Sequence, residues 1–498
     1  MTTTLSRFGH GSQRDASTVT ASPAPTSPTA LSPALSTAWR SCRAMLSLGL
    51  MLGLVPGLLL GSGFAMGQDR PEDTTTIHTT DSLGTSPSPA ALPEDTDACQ
   101  LRATGGLGVV VERADGRLAL VDRRAHKVIG RIEGLGDLSH ASVKFSSDER
   151  YAYVFGRDGG LTKVDLLCTR IAARVIQSGN SIGGAISQDG RIVAVANYEP
   201  GGVKLFDSDS LTLLAEVPAR YPSGGQHNDQ HNSGQHNSGQ HNSGQHNSGH
   251  EALSKVVGLV DAPGHRFVYS LWEADEIQIL DTTPLASGDA PTVTRFTRIG
   301  DRPYDALIDP IGRYYVAGLF GEDHLARLDL WHPERGVEPV LSGYRQGDES
   351  LPVYKMPHLE GWTIANDHAW WPAVGRHEVL MASLDDWQLE RRIAVHGQPV
   401  FVMSRPDQRQ LWVNFAYPDN DMVQVLDSES GDVIRSLTPG QAVLHMEFSP
   451  RGEEVWISAR DSDQVVVYDT ATFELLATLD IASPSGIFFT DRAHRIGL

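Results

Sequence analysis

Six turns with one plan are spread along this chain. They are Ser147-Asp148-Glu149-Arg150, Gln188-Asp189-Gly190-Arg191, Ala262-Pro263-Gly264-His265-Arg266, Pro310-Ile311-Gly312-Arg313, Pro406-Asp407-Gln408-Arg409 and Pro450-Arg451-Gly452-Glu453. Each is followed by an alternating apolar run such as YAYVF, FVYSLW or LWVNFAY. Period-two alternation bounded by Gly, Asp and Pro marks short half-buried strands joined by tight turns. A further strand then closes on an aspartate, at Asp165, Asp207, Asp281, Asp329, Asp385, Asp427 and Asp469, and most of these lead through a short loop into a fourth strand. The chain is therefore almost all β.

The spacing names the architecture. Turns at 148 and 189, and at 261 and 309, lie about 40 to 48 residues apart, within the roughly 40–50 residues of a β-propeller blade. Units begin at Leu107 and near Leu138, Ile182, Ser254, Arg302, Met356, Gly397 and Gln441, which predicts an eight-bladed β-propeller over 101–498. The seven-bladed alternative merges the weakly patterned region from Trp362 to Ile393 into its neighbours. The first unit lacks a full fourth strand, and Gly486 to Thr490 follows the eighth. This tail is expected to complete the first blade, which ties the ring and removes an exposed edge.

Residues 1–67 differ from the rest. Ser, Thr, Pro and Ala dominate to Thr37, then Arg40 and Arg43 precede an apolar run from Ala44 to Met66, with Ala65-Met66-Gly67 before Gln68. Positive residues, an apolar core and small residues at its end form the pattern of a secretory signal peptide, so export to the periplasm is expected. An uncleaved membrane anchor is the alternative, because a span needs about 20 apolar residues. Residues 68–100 are polar, with Pro and Thr, and form a flexible spacer. The formal net charge is −20. Removal of the leader takes away four arginines and one aspartate and leaves the remainder more acidic. Such a surface excludes nonspecific nucleic-acid binding, which needs a basic footprint.

Only Cys99 and Cys168 follow the leader, and spacing leaves open whether they pair. No Cys-x-x-Cys-His is present, so there is no site for covalent c-type haem. A low-complexity insertion at 222–250 carries four QHNSG units between blades three and four, and six of the nineteen histidines lie in it. Without fixed carboxylates or thiols its five-residue period defines no coordination geometry, so it reads as a surface loop, with metal binding as the alternative. No Gly-x-Ser-x-Gly elbow or His-Glu-x-x-His zinc motif points to a hydrolase.

Propellers bind ligands over the central channel, where first strands converge. Polar residues at those strands are His140, Asn180, Asp261, Tyr304, Asp305, His358 and His445. Each histidine alone also fits a hydrogen-bonded structural role, and Asp261 also fits a turn position. Three histidines aimed at one funnel would suit an iron tetrapyrrole held without covalent bonds, through one axial imidazole.

The string DLSHASVKFSSDERYAYVFGRDGGLTKVDL resembles the cytochrome d1 haem domain of periplasmic nitrite reductase. NYEPGGVKLFD, GRYYVAGLFGEDHLARLDLW, KMPHLEGW and VLHMEFSPRGEEVWISARDSD resemble the NirF-type proteins of haem d1 biosynthesis. The resemblance spans most of Leu101 to Leu498. It implies that His140 is the axial ligand to haem iron, that Arg157 lies near the tetrapyrrole carboxylates, and that Tyr198 lies beside the macrocycle. Tyr304, Asp305 and His358 fall where the reductase has its distal histidines, and this departure argues against nitrite reduction. Asp261 is expected as a general base beside His140, and His445 as a further cofactor contact. Arg302, Lys204 and Lys355, with Arg157, would offset the acidic charge locally.

The resemblance implies binding of haem d1 or a late precursor in denitrification. Two readings stay open, an enzyme modifying a side chain of the tetrapyrrole and a carrier passing it to nitrite reductase or other maturation proteins. A generic scaffold for protein partners is the third.

Overall fold

The turn aspartates act on backbone amides. In the first-to-second-strand turns, Asp148 Oδ1 accepts the amide of Arg150 at 3.1 Å, and Asp189 and Asp407 accept those of Arg191 and Arg409, each at 3.2 Å. Five of the six turns have one residue at positive φ, as glycine at Gly190, Gly312 and Gly452 and as Glu149 and Gln408 elsewhere, and the turn from Ala262 to Arg266 has two, Gly264 and His265. At the end of third strands, Asp427 Oδ1 accepts the amides of Glu429 and Ser430 at 3.0 and 2.8 Å, and Asp469 Oδ1 those of Ala471 and Thr472 at 2.9 and 2.7 Å. These are Asx turns, in which a side chain stands in for a backbone carbonyl. Asp385 is an exception to the sequence pattern. The strand ends at Ser383, whose Oγ accepts the Asp385 amide at 3.1 Å, so a serine holds that place.

The computed structural model describes residues 99, 101–222, 251–343, 361–373 and 375–497. The segment 1–67, the spacer apart from Cys99, most of the QHNSG insertion, Lys355 and His358 lie outside the described residues, and Asp305 is described in its backbone alone. The described chain forms eight four-stranded antiparallel sheets, which are the eight blades of a propeller, and one small two-stranded sheet of Arg220–Pro222 with Glu251–Leu253. That small sheet brackets the insertion. The region from Trp362 to Ile393 is a blade of its own, with strands Thr363–Ala365, His368–Pro372, Glu378–Ser383 and Leu389–Ala394, so seven blades are excluded. Its pattern is weak because the first strand is short, with Trp362 just ahead of it, and the second carries Trp370 and Trp371 where other blades carry alternating aliphatics. These rings are buried, with Trp362 stacked on Trp371 at 3.6 Å.

The tail completes blade 1, yet in a different place from that expected. Strand Pro484–Phe489 pairs with Leu107–Glu112 and is the innermost strand; Leu107–Glu112, Arg117–Asp122 and Lys127–Ile132 are the second, third and fourth. The missing element was the first strand. Asp122 carries the signal for this register, because its Oδ1 accepts the amides of Arg124 and Ala125 just as third-strand aspartates do elsewhere.

Two buried carboxylates hold the seam. Glu112, fully buried, accepts Arg117 Nε at 2.5 Å, Arg131 Nε at 3.2 Å and the Ala482 amide at 3.3 Å just before the tail strand. Beyond the strand, Arg492 on the 3₁₀ turn Thr490–His494 donates through Nε and Nη2 to Glu447 at 3.0 and 2.7 Å, and both side chains are nearly inaccessible. A Cys99–Cys168 disulfide fixes the segment ahead of blade 1 to the third turn of blade 2.

Breaking a buried pair leaves one uncompensated charge, so Glu447→Ala should cost about 3–5 kcal/mol in urea unfolding, against under about 1.5 kcal/mol for replacing both partners with apolar residues of similar volume. Amide donors hold the carboxyls of Asp427 and Asp469 below their ordinary range. A depressed folded pKa adds stability above the unfolded value, about 4, which is lost as pH falls through the folded value. The double variant Asp427→Asn/Asp469→Asn should therefore be less stable at pH 7, and its urea midpoint should fall less between pH 5 and pH 2.

Candidate functional site

Because neighbouring strands are antiparallel, the starts of all first strands and the loops after all second strands share one end of the channel. A cavity of about 300 Å³ opens there, lined from blades 1, 2, 3, 4, 7 and 8. Such a volume is at the lower end for small-molecule sites. His140 and His445 both line it, so the structure brings two of the expected histidines together.

His140 is exposed, in the turn just ahead of strand Ser142–Phe145. Its position is set from below. Asp137 Oδ1 accepts the Ser139 amide at 2.8 Å, and the Asp137 carbonyl accepts the Arg157 amide at 2.8 Å. Hydrogen bonds from Ser139, with Arg157 and Arg113 nearby, hold the Asp137 carboxyl below its usual range. Under this loop Arg174 Nη2 bridges Asp158 Oδ2 at 2.7 Å and the Leu135 carbonyl at 3.0 Å. Gly136, at φ 84°, passes so close to both side chains that any Cβ would collide with them.

His445 is buried at 8 % exposure and lies between Phe401 and Phe488, at ring distances of 6.2 and 5.5 Å. The Ile487 amide donates to its Nδ1 at 3.3 Å, which places the proton of the neutral ring on Nε2. The tail strand thus sets the tautomer of a cavity residue. Ser142 Oγ lines the cavity, is buried and has no hydrogen-bond partner among the described residues. Gly183, Gly184 and Gly258 leave the wall flat, and a Cβ on Gly183 would meet Ser142 Oγ at 3.2 Å.

Arg113 also lines the cavity and was not anticipated. Burial, with Arg460 nearby, lowers its pKa, while Asp137 and Asp461 oppose this. The signal was present: Arg113-Ala114-Asp115-Gly116 follows the second strand of blade 1 as Arg157-Asp158-Gly159 follows that of blade 2. Reading Leu107–Glu112 as a first strand hid the equivalence.

Other expected residues do not line this cavity. Arg157 is half-buried beside it, its backbone docked on Asp137. Tyr198 is the penultimate residue of strand Ile192–Glu199, the second of blade 3. Lys204 donates to the Gln177 carbonyl at 2.6 Å and pairs with Glu216 at 3.0 Å. Arg302 pairs with Asp301 at 3.3 Å, and Tyr304 packs edge-on against Trp272 and Phe320, 5.4 Å from each; Asp305 follows on the strand Pro303–Ile308. Asp261 lies deeper in the channel, near the end of strand Val256–Ala262, where Oδ1 accepts the Gly497 amide at 3.0 Å. Burial pushes its carboxyl up, partly offset by that amide and by Lys144. Lys144 lines the cavity and donates to the Gly497 carbonyl at 3.2 Å.

A family model described as the cytochrome D1 heme domain matches residues 102–493. The chain belongs to the cytochrome d1 haem domain family, as a NirF-type member. It is 60% identical over 398 residues to the Protein NirF of Pseudomonas aeruginosa, covering 80% of this chain and 94% of that relative, and 56% identical to the Protein NirF of Stutzerimonas stutzeri. A dihydro-heme d1 dehydrogenase of Pseudomonas aeruginosa is 28% identical, covering 76% of this chain and 70% of that protein. Among solved structures, the dihydro-heme d1 dehydrogenase NirN in complex with DHE matches with a TM-score of 0.65 at 24% identity, covering 82% of this chain and 80% of that one, a likeness of fold. In this NirF-type chain, Gly136→Ala should lower stability by more than about 1 kcal/mol through backbone strain and the clash with Asp158 and Arg174, and should loosen the His140 turn, seen as faster amide exchange at 137–141.

Proposed function

We propose that this exported chain binds haem d1 or a late precursor, without covalent attachment, in a late step of haem d1 biosynthesis for nitrite reduction. The observation that carries this reading is His140 at the mouth of a first-strand cavity. The donor set fits such a group. An exposed imidazole can serve as the axial ligand, Arg113 and the neighbouring Arg157 supply guanidinium groups for ring carboxylates, and the glycine wall admits a flat ring. Ser142 Oγ is a buried polar atom in need of a partner. When bound, the iron tetrapyrrole would supply the redox-active centre; the protein's part is to hold its iron, orient its carboxylates and exclude water. His445 lines the same cavity between Phe401 and Phe488. The Arg-flanked apolar run ahead of 68 supports a periplasmic setting.

Between enzyme and carrier, one observation favours the carrier. Asp261, the expected base, is buried, accepts the Gly497 amide and is not among the residues lining the cavity, and a base must reach the proton it removes. Delivery to nitrite reductase or to another maturation protein follows as the partner chemistry of that reading.

Titrating the purified chain with haem d1 and with its precursor should give new optical bands, and an unchanged spectrum would remove the proposal. His140→Ala should shift those bands. Arg113→Gln should weaken binding about tenfold, as expected for loss of a charge-assisted contact worth about 1.4 kcal/mol. Asp261→Asn should bind normally, and the precursor should leave with unchanged mass; a mass change dependent on Asp261 would restore the enzyme reading.

A further inference from the structure

The opposite ends of the first strands enclose a second cavity, of about 540 Å³, that shares no lining residue with the one under His140. Ile308, Met403 and Phe448, at or next to the ends of the first strands of blades 5, 7 and 8, form one wall with Trp362 and Ile364 of blade 6. The chain's own tail, from Arg492 to Gly497, forms the other. This tail is held firmly. Arg492 is paired with Glu447, His494 Nε2 lies 3.0 Å from Glu149, and Gly497 is bonded on both sides to Asp261 and Lys144. The volume lies well within the roughly 300–1,000 Å³ of small-molecule sites.

The lining is apolar with a positive bias. Trp362, Ile364, Met403, Phe448 and Ile496 supply the body, and the lining also holds three arginines, Arg405, Arg492 and Arg495, against one carboxylic acid residue, Glu447. Glu447 is consumed by Arg492. Arg405 is bound to Asp407, outside the lining, and to Thr470 Oγ1 at 3.4 Å. Among the described residues the Arg495 guanidinium pairs through Nη2 with Asp491 at 3.0 Å, and its side chain is 39% exposed. An apolar chamber with a guanidinium at its rim favours a ligand with an apolar body and one anionic head.

We propose that this cavity is a second ligand site, for an amphipathic organic anion: one or two rings or a short alkyl body carrying a carboxylate or sulfonate. Its head pairs with Arg495 and its body lies between Trp362, Met403 and the tail. The site is independent of the tetrapyrrole reading, since neither its residues nor its ligand class depends on it.

The full chain is titrated with 8-anilinonaphthalene-1-sulfonate, an anionic two-part aromatic, and with neutral N-phenyl-1-naphthylamine. One saturable equivalent of the anionic probe should bind with enhanced emission. Met403→Trp, which fills the chamber, should weaken it at least tenfold with an unchanged melting temperature, and Ile364→Trp serves the same purpose if Met403→Trp fails to fold. Arg495→Gln should weaken the anionic probe several-fold and leave the neutral one unchanged. Absence of saturable binding, or binding indifferent to both filling variants, overturns the site. Equal loss of both probes in Arg495→Gln overturns the assignment to anions. His140→Ala should change neither probe, so failure of the tetrapyrrole reading would show separately.

Discussion

Everything in this structure depends on closing a ring whose first strand is made last. The innermost strand of blade 1 comes from 484–489, more than 350 residues after its neighbour at 107–112. Until that strand docks, blade 1 has an open inner edge, and an unpaired edge invites wrong partners. Loop-closure entropy grows only slowly with length, so the tail pays a modest penalty for its distance. What fixes it is local: the ladder to Leu107–Glu112, the carboxylate of Glu112 beneath Ala482, and the buried Arg492–Glu447 pair beyond it.

Closure also links the fold to both cavities. Strand Val443–Phe448 presents His445 and Leu444 to the upper cavity and Glu447 and Phe448 to the lower one. The tail does the same, with Ser485, Gly486 and Phe488 above and Arg492 and Ile496 below. The amide of Ile487, on the strand that shuts the ring, sets the tautomer of His445. A side-chain state in the site is therefore a consequence of ring closure.

Much of the fold was legible because it repeats. Asx turns and alternating strands are local, and local chemistry is written in adjacent residues. Blade 6 was harder to read since buried tryptophans replaced the aliphatic alternation. Blade 1 was shifted by one strand, and the error propagated: with Leu107–Glu112 read as a first strand, Arg113 had no reason to face the cavity. Of the site, His140 and His445 were legible as polar residues at first strands, where a propeller's channel converges. Asp261 was expected from its place at a first strand across the funnel, yet depth along the strand decides whether a residue faces the mouth or the interior. Tyr304 was found at the right end of a strand, and its packing with Trp272 and Phe320 comes from a neighbouring blade that its own segment does not reveal.

The sequence alone determined an all-β repeat of propeller type, with eight blades expected over seven, an expected closing tail and a histidine at a first strand, because turn chemistry and period-two alternation act within a few residues. Tertiary structure alone decided which strand the tail replaces, that Cys99 meets Cys168, that Arg113 joins His140, and that the Gly497 amide meets Asp261. Those outcomes depend on segments far apart in the chain being brought within a few ångströms, and no spacing between neighbours encodes that.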